Sequence, residues 1–233
     1  MKISNLCKKY GDKVIFDDFN ITFEDNKVTA IMGGSGVGKT TLLKVIANLT
    51  DYTGEIDNSG EISYVFGEAS LISSLTIKQN LEYAVSHVIK DKTELNESIK
   101  TILNELELSS EINSYPKKLS TGMAQRVSLA RGFLYPSKVL ILDEPFRGLD
   151  TALKHKLQKY LLKLLSLNKR TVILITHDIN EAIAVADRVV VFEGQPVNIT
   201  FDRVIDCPVE NRLAYSNEMN EIRENLLNVL GNQ

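Results

Sequence analysis

Gly33-Gly34-Ser35-Gly36-Val37-Gly38-Lys39-Thr40 follows the apolar run Lys27–Met32 and leads into Lys39–Leu49, where Leu42, Leu43, Ile46 and Leu49 recur at helical spacing. The order is strand, glycine-rich turn, helix. The turn fits GxxxxGK[ST], a spacing that serves phosphate. Glycines reach backbone conformations closed to other residues, so successive N–H groups converge on phosphate oxygens. The helix start adds its dipole, Lys39 a cation for the β- and γ-phosphates, and Thr40 a hydroxyl for Mg²⁺. With Thr41 counted beside Thr40, these residues form the expected cradle for a nucleoside triphosphate, ATP or GTP. A plain glycine-rich turn is the bland alternative, and the strand and helix on either side argue against it.

About a hundred residues downstream, Val139-Leu140-Ile141-Leu142 is a four-residue apolar run suited to a strand buried on both faces, and it ends in Asp143. Ligands of open α/β sheets bind at the carboxyl ends of their strands. Asp143 is therefore the expected Mg²⁺ carboxylate, and Glu144, next in line, is placed to polarise an attacking water. The alternative for Asp143-Glu144-Pro145 is an acidic turn.

The rest of the chain alternates around these two points. Lys2–Leu6, Val14–Phe16 and Asn20–Phe23 read as short strands. Thr53–Ile56 and Glu61–Phe66 also read as strands, and the intervening Asp57-Asn58-Ser59-Gly60 predicts a hairpin that joins the N-terminal antiparallel strands. From about Ser74 to Tyr135 the strand signal stops, and Ile77–Val88, Glu94–Leu106 and Thr121–Leu134 read as helices with Pro116 and Pro136 as breakers. An inserted helical subdomain over about 70–137 is the expectation. The alternation resumes with helix Thr151–Leu167, buried strand Thr171–Ile175, helix Ile179–Ala186, edge strands Arg188–Phe192 and Val197–Phe201, and a helix near Glu218–Leu230. Strands that alternate with helices imply a parallel sheet with crossovers. The fold class is α/β, a P-loop NTPase core in one continuous domain over 1–233.

Composition excludes several classes. The 27 basic and 30 acidic residues give a net charge of -3, which argues against nucleic acid as a partner, since phosphate-backbone affinity needs a basic surface. No apolar run approaches the ~20 residues that cross a bilayer, and MKISNLCKKYGDK has no apolar leader core. A membrane process would need other chains to supply the membrane part. Cys7 and Cys207 stand 200 residues apart with no clustering, and reduced thiols are the expected state.

Four further stretches narrow the class. Leu119-Ser120-Thr121-Gly122-Met123-Ala124-Gln125-Arg126, which opens the helix before the Asp143 strand, resembles the signature motif of the ATP-binding cassette (ABC) family. Phe146-Arg147-Gly148-Leu149-Asp150 looks like its D-loop, Thr176-His177-Asp178 like its switch histidine, and Tyr10 is similar to the aromatic that stacks on adenine. The resemblance, over roughly residues 1–195, implies an ATPase in which two cassettes face each other. Each ATP would be sandwiched between one P-loop and the other cassette's signature helix, with Ser120, Thr121 and Gly122 at the γ-phosphate and His177 orienting it. The Asp143-Glu144-Pro145-Phe146 and Thr176-His177-Asp178-Ile179-Asn180-Glu181-Ala182 stretches look like importer ATPases for nitrate, sulfonate, taurine and related solutes. That subgroup implies a second cassette, identical in a homodimer, transmembrane permease subunits docked near Leu71–Asn80, indirectly a solute-binding protein, and the cytoplasmic face of the membrane.

Two positions depart from the pattern. Gly67 stands where the family has the Q-loop glutamine, so Glu68 or a water is expected to substitute, with slower hydrolysis or looser coupling. Thr121 replaces the first signature glycine and puts a Cβ where backbone approaches phosphate. A soluble ABC ATPase and a weakly hydrolysing regulator remain alternatives. The compact single cassette argues against the first and the retained Glu144 against the second. A small-molecule kinase would leave the signature and switch stretches unexplained.

Overall fold

Three antiparallel strands open the chain: β1 (Lys2–Tyr10), β2 (Lys13–Thr22) and β4 (Thr53–Asp57), in the order β2-β1-β4. The computed structural model describes residues 1–57, 60–208, 212 and 217–231. The two short runs expected at 14–16 and 20–23 are one strand. The apolar pattern breaks between them because Asp18, with Asn5 opposite, takes a left-handed backbone where the β1–β2 register shifts, and the Asn5 amide donates to Asp18 Oδ1 at 2.6 Å. Asn and Asp tolerate that conformation better than other side chains.

The chain divides into two units, Met1–Gly60 with Arg170–Gln233, and Glu61–Lys169. In the first, β3 (Val28–Gly33) lies between β7 (Thr171–Ile175) and β8 (Arg188–Glu193), all parallel, and β9 (Asn198–Val204) runs antiparallel on β8. All five residues of β7 are buried, as a strand covered on both faces requires. Arg188–Phe192, expected at an edge, is an interior strand. Its Val189–Phe192 run is wholly buried, and of these two strands β9 is the one at an edge. The antiparallel sheet meets this one through Phe19, whose ring lies edge-on to Phe192 at 5.3 Å. Helices α1 (Lys39–Ile46), α6 (Ile179–Val185) and α7 (Asn217–Gly231) complete the unit.

The second unit holds β5 (Ile62–Phe66) parallel to β6 (Val139–Asp143), with helices α2 (Ile77–Val85), α3 (Lys92–Glu105), α4 (Thr121–Leu134) and α5 (Thr151–Leu167). The helical stretch expected at about 70–137 lies within it. Helix α4 is buried along most of its length and sits on β5 so closely that a Cβ at Gly132 would come within 2.4 Å of Val65 Cγ2.

The expected hairpin does not form: β4 pairs with β1, and β5 pairs with β6. Strand β4 is largely exposed and polar, as an edge strand can be, whereas β5 buries Ser63 and Val65. Asn58 and Ser59 of the turn between them lie outside the described residues. Both cysteines are free. Among the described residues no helix is long and apolar enough to cross a membrane.

Candidate nucleotide site

The P-loop is set by three glycines with positive φ. Gly33 (φ 139) lies so close to β8 that a Cβ would meet Phe192 O at 2.3 Å. At Gly38 (φ 133) a Cβ would come within 2.9 Å of Ile15 Cγ2 and Val197 Cγ2, while Gly36 (φ 75) turns in open space. Gly38 therefore caps α1 with no side chain, and its carbonyl accepts the first helical hydrogen bond, from Leu42 N at 2.9 Å. Lys39 folds back over the turn, its Nζ donating to Gly33 O (2.7 Å) and Gly34 O (2.8 Å). Val37 is buried as the anchor of the loop, while Ser35 and Thr40 are exposed and Thr41 is half-buried. The arrangement is a backbone cradle at a helix N-terminus with an ammonium across its mouth, which fits a polyphosphate.

His177 follows the strand next to β3. Ile31 pairs with Ile175 in the parallel register, so the P-loop and the 176–178 turn leave the same end of adjacent strands. The turn is built by its neighbours: buried Thr176 donates to Glu181 and accepts from Asp178 N at 3.1 Å, and Asp178 caps α6 through Asn180 N and Glu181 N. His177 is left exposed.

Tyr10, expected just after the first strand, is the last residue of β1, 47% exposed. The ammonium of Lys8, buried and bonded to Asp51 at 2.8 Å, sits 4.5 Å from its ring centroid. That bond holds Asp51 below the ordinary carboxylate range. It also ties the ring's strand to the segment beyond α1.

The carboxylates form a second cluster. Asp143 ends β6 opposite Phe66 of β5, and its Oδ2 accepts from the Tyr64 hydroxyl at 2.7 Å. Burial first, then Asp143, pushes the Tyr64 phenol well above its usual range, so it remains a donor. Glu144 takes a left-handed backbone (φ 51) and pairs with Arg147 at 3.4 Å. Gly67 packs directly against this turn: a Cβ there would meet Glu144 O at 2.8 Å and Asp143 O at 3.0 Å. The buried Gln125 of α4 closes it from below, its Nε2 donating to Pro145 O at 2.8 Å. Glu68, expected as a stand-in for the missing glutamine, is exposed, and the side chain that reaches Asp143 is that of Tyr64. Tyr64 and Gln125 had no assigned role in the sequence. For Tyr64 the one sequence signal is β5's alternation, which puts Tyr64 and Phe66 on one face.

Ser120 caps α4, its Oγ accepting from Met123 N at 3.3 Å, and Arg126 donates to Leu106 O at 2.6 Å. Thr121 is exposed in the first turn. Gly122 is buried, and a Cβ would come within 2.5 Å of Leu153 Cδ2, so packing against α5 alone accounts for glycine there. Gly148 turns with φ 73, and Asp150 caps α5 through Leu153 N at 3.0 Å.

Among the described residues no group of three or more His, Cys, Asp or Glu side chains could hold a metal ion. Mg²⁺ commonly binds through one or two carboxylates plus substrate phosphates and keeps several waters. Asp143 is one carboxylate of that kind in its unit, and Thr40 is an exposed hydroxyl in the other.

The sequence matches the ABC transporter family over residues 16–147. It is 36% identical to an aliphatic sulfonates import ATP-binding protein of Pseudomonas savastanoi pv. phaseolicola over 83% of this chain and 80% of the relative. Proteins of the same description from Bacillus cereus (36% identity, 94% of this chain, 90% of the relative) and Corynebacterium glutamicum (35%, 90% and 86%) are similar in kind.

Proposed function

The chain belongs to the ABC transporter family and is an ATPase of that type, and from this premise we propose that it powers an importer of small organic anions of the sulfonate class. The observation that carries the reading is the P-loop, where glycine-only backbone and the Lys39 ammonium prepare a phosphate site at a helix start. The solute class rests on the description shared by the relatives.

The chain's own groups divide the work as follows. Tyr10 stacks on the adenine ring. Backbone N–H groups of 34–40 and the Lys39 ammonium take the β- and γ-phosphate oxygens, with Val37 and Thr41 fixing the loop and the helix. Thr40 and Asp143 are the residues that would hold the metal. Mg²⁺ held there would neutralise charge that develops in phosphoryl transfer. Glu144 accepts the proton of a water that attacks the γ-phosphorus as the bond to the β–γ bridging oxygen breaks, giving ADP and phosphate. His177 orients the γ-phosphate. Ser120, Thr121, Gly122 and the start of α4 close over the nucleotide of a second copy, so the active form is a homodimer of cassettes on transmembrane permease subunits at the cytoplasmic face of the membrane. A solute-binding protein delivers cargo to the permease from the other side. The α2 segment is suited to docking. Asn80, buried, accepts from Ile72 N and donates to Ile72 O, Leu75 O and Thr76 O, which holds Ile72 at the surface, and Tyr83 is 69% exposed.

Two variants test this reading. Lys39→Ala abolishes nucleotide binding by equilibrium dialysis, and binding at the unaltered level refutes the cradle. Glu144→Gln elutes as a dimer in Mg·ATP during sizing chromatography, and a monomer under those conditions refutes the paired mechanism. In proteoliposomes with the permease, ATP turnover rises when an aliphatic sulfonate and its binding protein are supplied. A rise with other solutes only would reassign the cargo.

A further inference from the structure

Strands alternate their side chains, so Tyr64 and Phe66 share one face of β5, and register sets Phe66 directly opposite Asp143. The two rings stack at 4.2 Å with 25° between their planes. Stacking leaves the Tyr64 ring little freedom, and its hydroxyl reaches along the pair of strands to Asp143 Oδ2 at 2.7 Å. That is the length of a charge-assisted O–H···O⁻ bond. It is the one hydrogen bond to the Asp143 side chain among the described residues. The position that a glutamine would use beside this carboxylate is Gly67, whose backbone instead presses on the Asp143 and Glu144 carbonyls.

From these contacts we propose that Tyr64 is a positioning residue for the metal site: it takes one oxygen of Asp143 and fixes the carboxylate plane so that Oδ1 faces the water shell of the ion. The inference rests on the reading of Asp143 as the metal carboxylate. Gly67 fixes the backbone of this turn and Tyr64 its charge, so the metal site is ordered without a side chain at 67. A donor behind a metal carboxylate keeps it from rotating and from spending both oxygens on solvent, and loss of such partners weakens metal affinity by about 10- to 100-fold.

The test uses Tyr64→Phe, which keeps the ring and its stack, in the full-length protein. Mn²⁺ affinity is read by electron paramagnetic resonance with ADP bound, and ADP affinity is read separately in EDTA. Asp143→Asn serves as the reference. The expected result is a fall of about 10-fold in Mn²⁺ affinity for Tyr64→Phe, the low end of that range. ADP affinity in EDTA stays at the wild-type value, and ATPase activity is restored by raised Mg²⁺. A merely structural tyrosine would lower activity without changing the Mg²⁺ requirement. If Asp143→Asn weakens Mn²⁺ binding and Tyr64→Phe leaves it unchanged, the positioning role is overturned. If Asp143→Asn itself has no effect, the assignment of Asp143 falls, and this inference with it.

Discussion

Restoring a glutamine at position 67 is the obvious repair for this chain, and the structure predicts that it fails. Any residue but glycine brings a Cβ within 2.8 Å of Glu144 O and 3.0 Å of Asp143 O, where ordinary contact begins near 3.4 Å. The loop after β5 or the end of β6 must give by about half an ångström. Neither gives freely. Asp143 is paired with Phe66 in the parallel register, and Gln125 holds the next carbonyl from α4. Overpacking of this kind costs about 1–3 kcal/mol. For a chain of this size a loss of 2 kcal/mol lowers the melting temperature by about 4–8 °C.

Thermal unfolding followed by circular dichroism checks the figure in Gly67→Ala and Gly67→Gln. Gly231→Ala is the control, because it ends α7 in open space, and its melting temperature stays the same or rises slightly. Displacing the two carbonyls also displaces the Asp143 and Glu144 side chains, so neither Gly67 variant exceeds wild-type ATPase activity. Gly67→Gln with an unchanged melting temperature and faster hydrolysis would refute the packing argument and restore the simpler view that the glycine is only a missing side chain.

Two further outcomes follow from packing. Asn80→Ala strips the side-chain hydrogen bonds that organise residues 72–76, removing the acceptor of Ile72 N and the donor to Leu75 O, at a cost of about 1–3 kcal/mol. Limited proteolysis should cut first in that segment, and unaltered cleavage would count against it. Gly122→Ala pushes a methyl into Leu153, and Leu153→Ala opens space for it. In a double-mutant cycle on stability the pair should deviate from additivity by about 1 kcal/mol in the direction of rescue, while strict additivity would show that the contact is absorbed elsewhere.

The glycine turn proposed as the phosphate cradle is legible in the sequence because its requirement is local. Three turns of backbone that only glycine makes, a lysine long enough to return to Gly33 O and Gly34 O, and a helix start lie within eight consecutive residues. Helices α4 and α5 and strand β7 were read to the residue, since the caps Ser120 and Asp150 and the apolar run of β7 mark their own ends. The hairpin expected over 53–66 does not form: a short polar turn between two strand-like segments favours neighbours in sequence, and nothing local says that Ile62–Phe66 pairs with Val139–Asp143 instead. That one non-local pairing also explains why the carboxylate cluster was half seen. Asp143 and Glu144 announce themselves at the end of an apolar run. Tyr64 stands 79 residues away, and the pairing of β5 with β6 carries it to Asp143.

The same pairing changes how the departure at Gly67 is understood. Read alone, a glycine in place of a glutamine is a deletion, and the expected remedy was the next carboxylate, Glu68. In the folded chain residue 67 follows a strand paired with the one that ends in Asp143, where the left-handed Glu144 turns its carbonyl toward it. A left-handed residue other than glycine costs on the order of 1–2 kcal/mol and persists only where its surroundings hold it. Here the surroundings are Gly67 on one side and Gln125 on the other. The glycine is then part of what places Glu144, and a glutamine can stand at 67 only with a differently shaped carboxylate turn. Positions 67 and 144 should therefore tolerate change together or not at all. Gly67→Gln combined with Glu144→Gly should recover the stability that Gly67→Gln alone loses, because glycine lets the turn relax away from the new Cβ. If the double variant melts as low as Gly67→Gln, the two positions are not coupled through that turn.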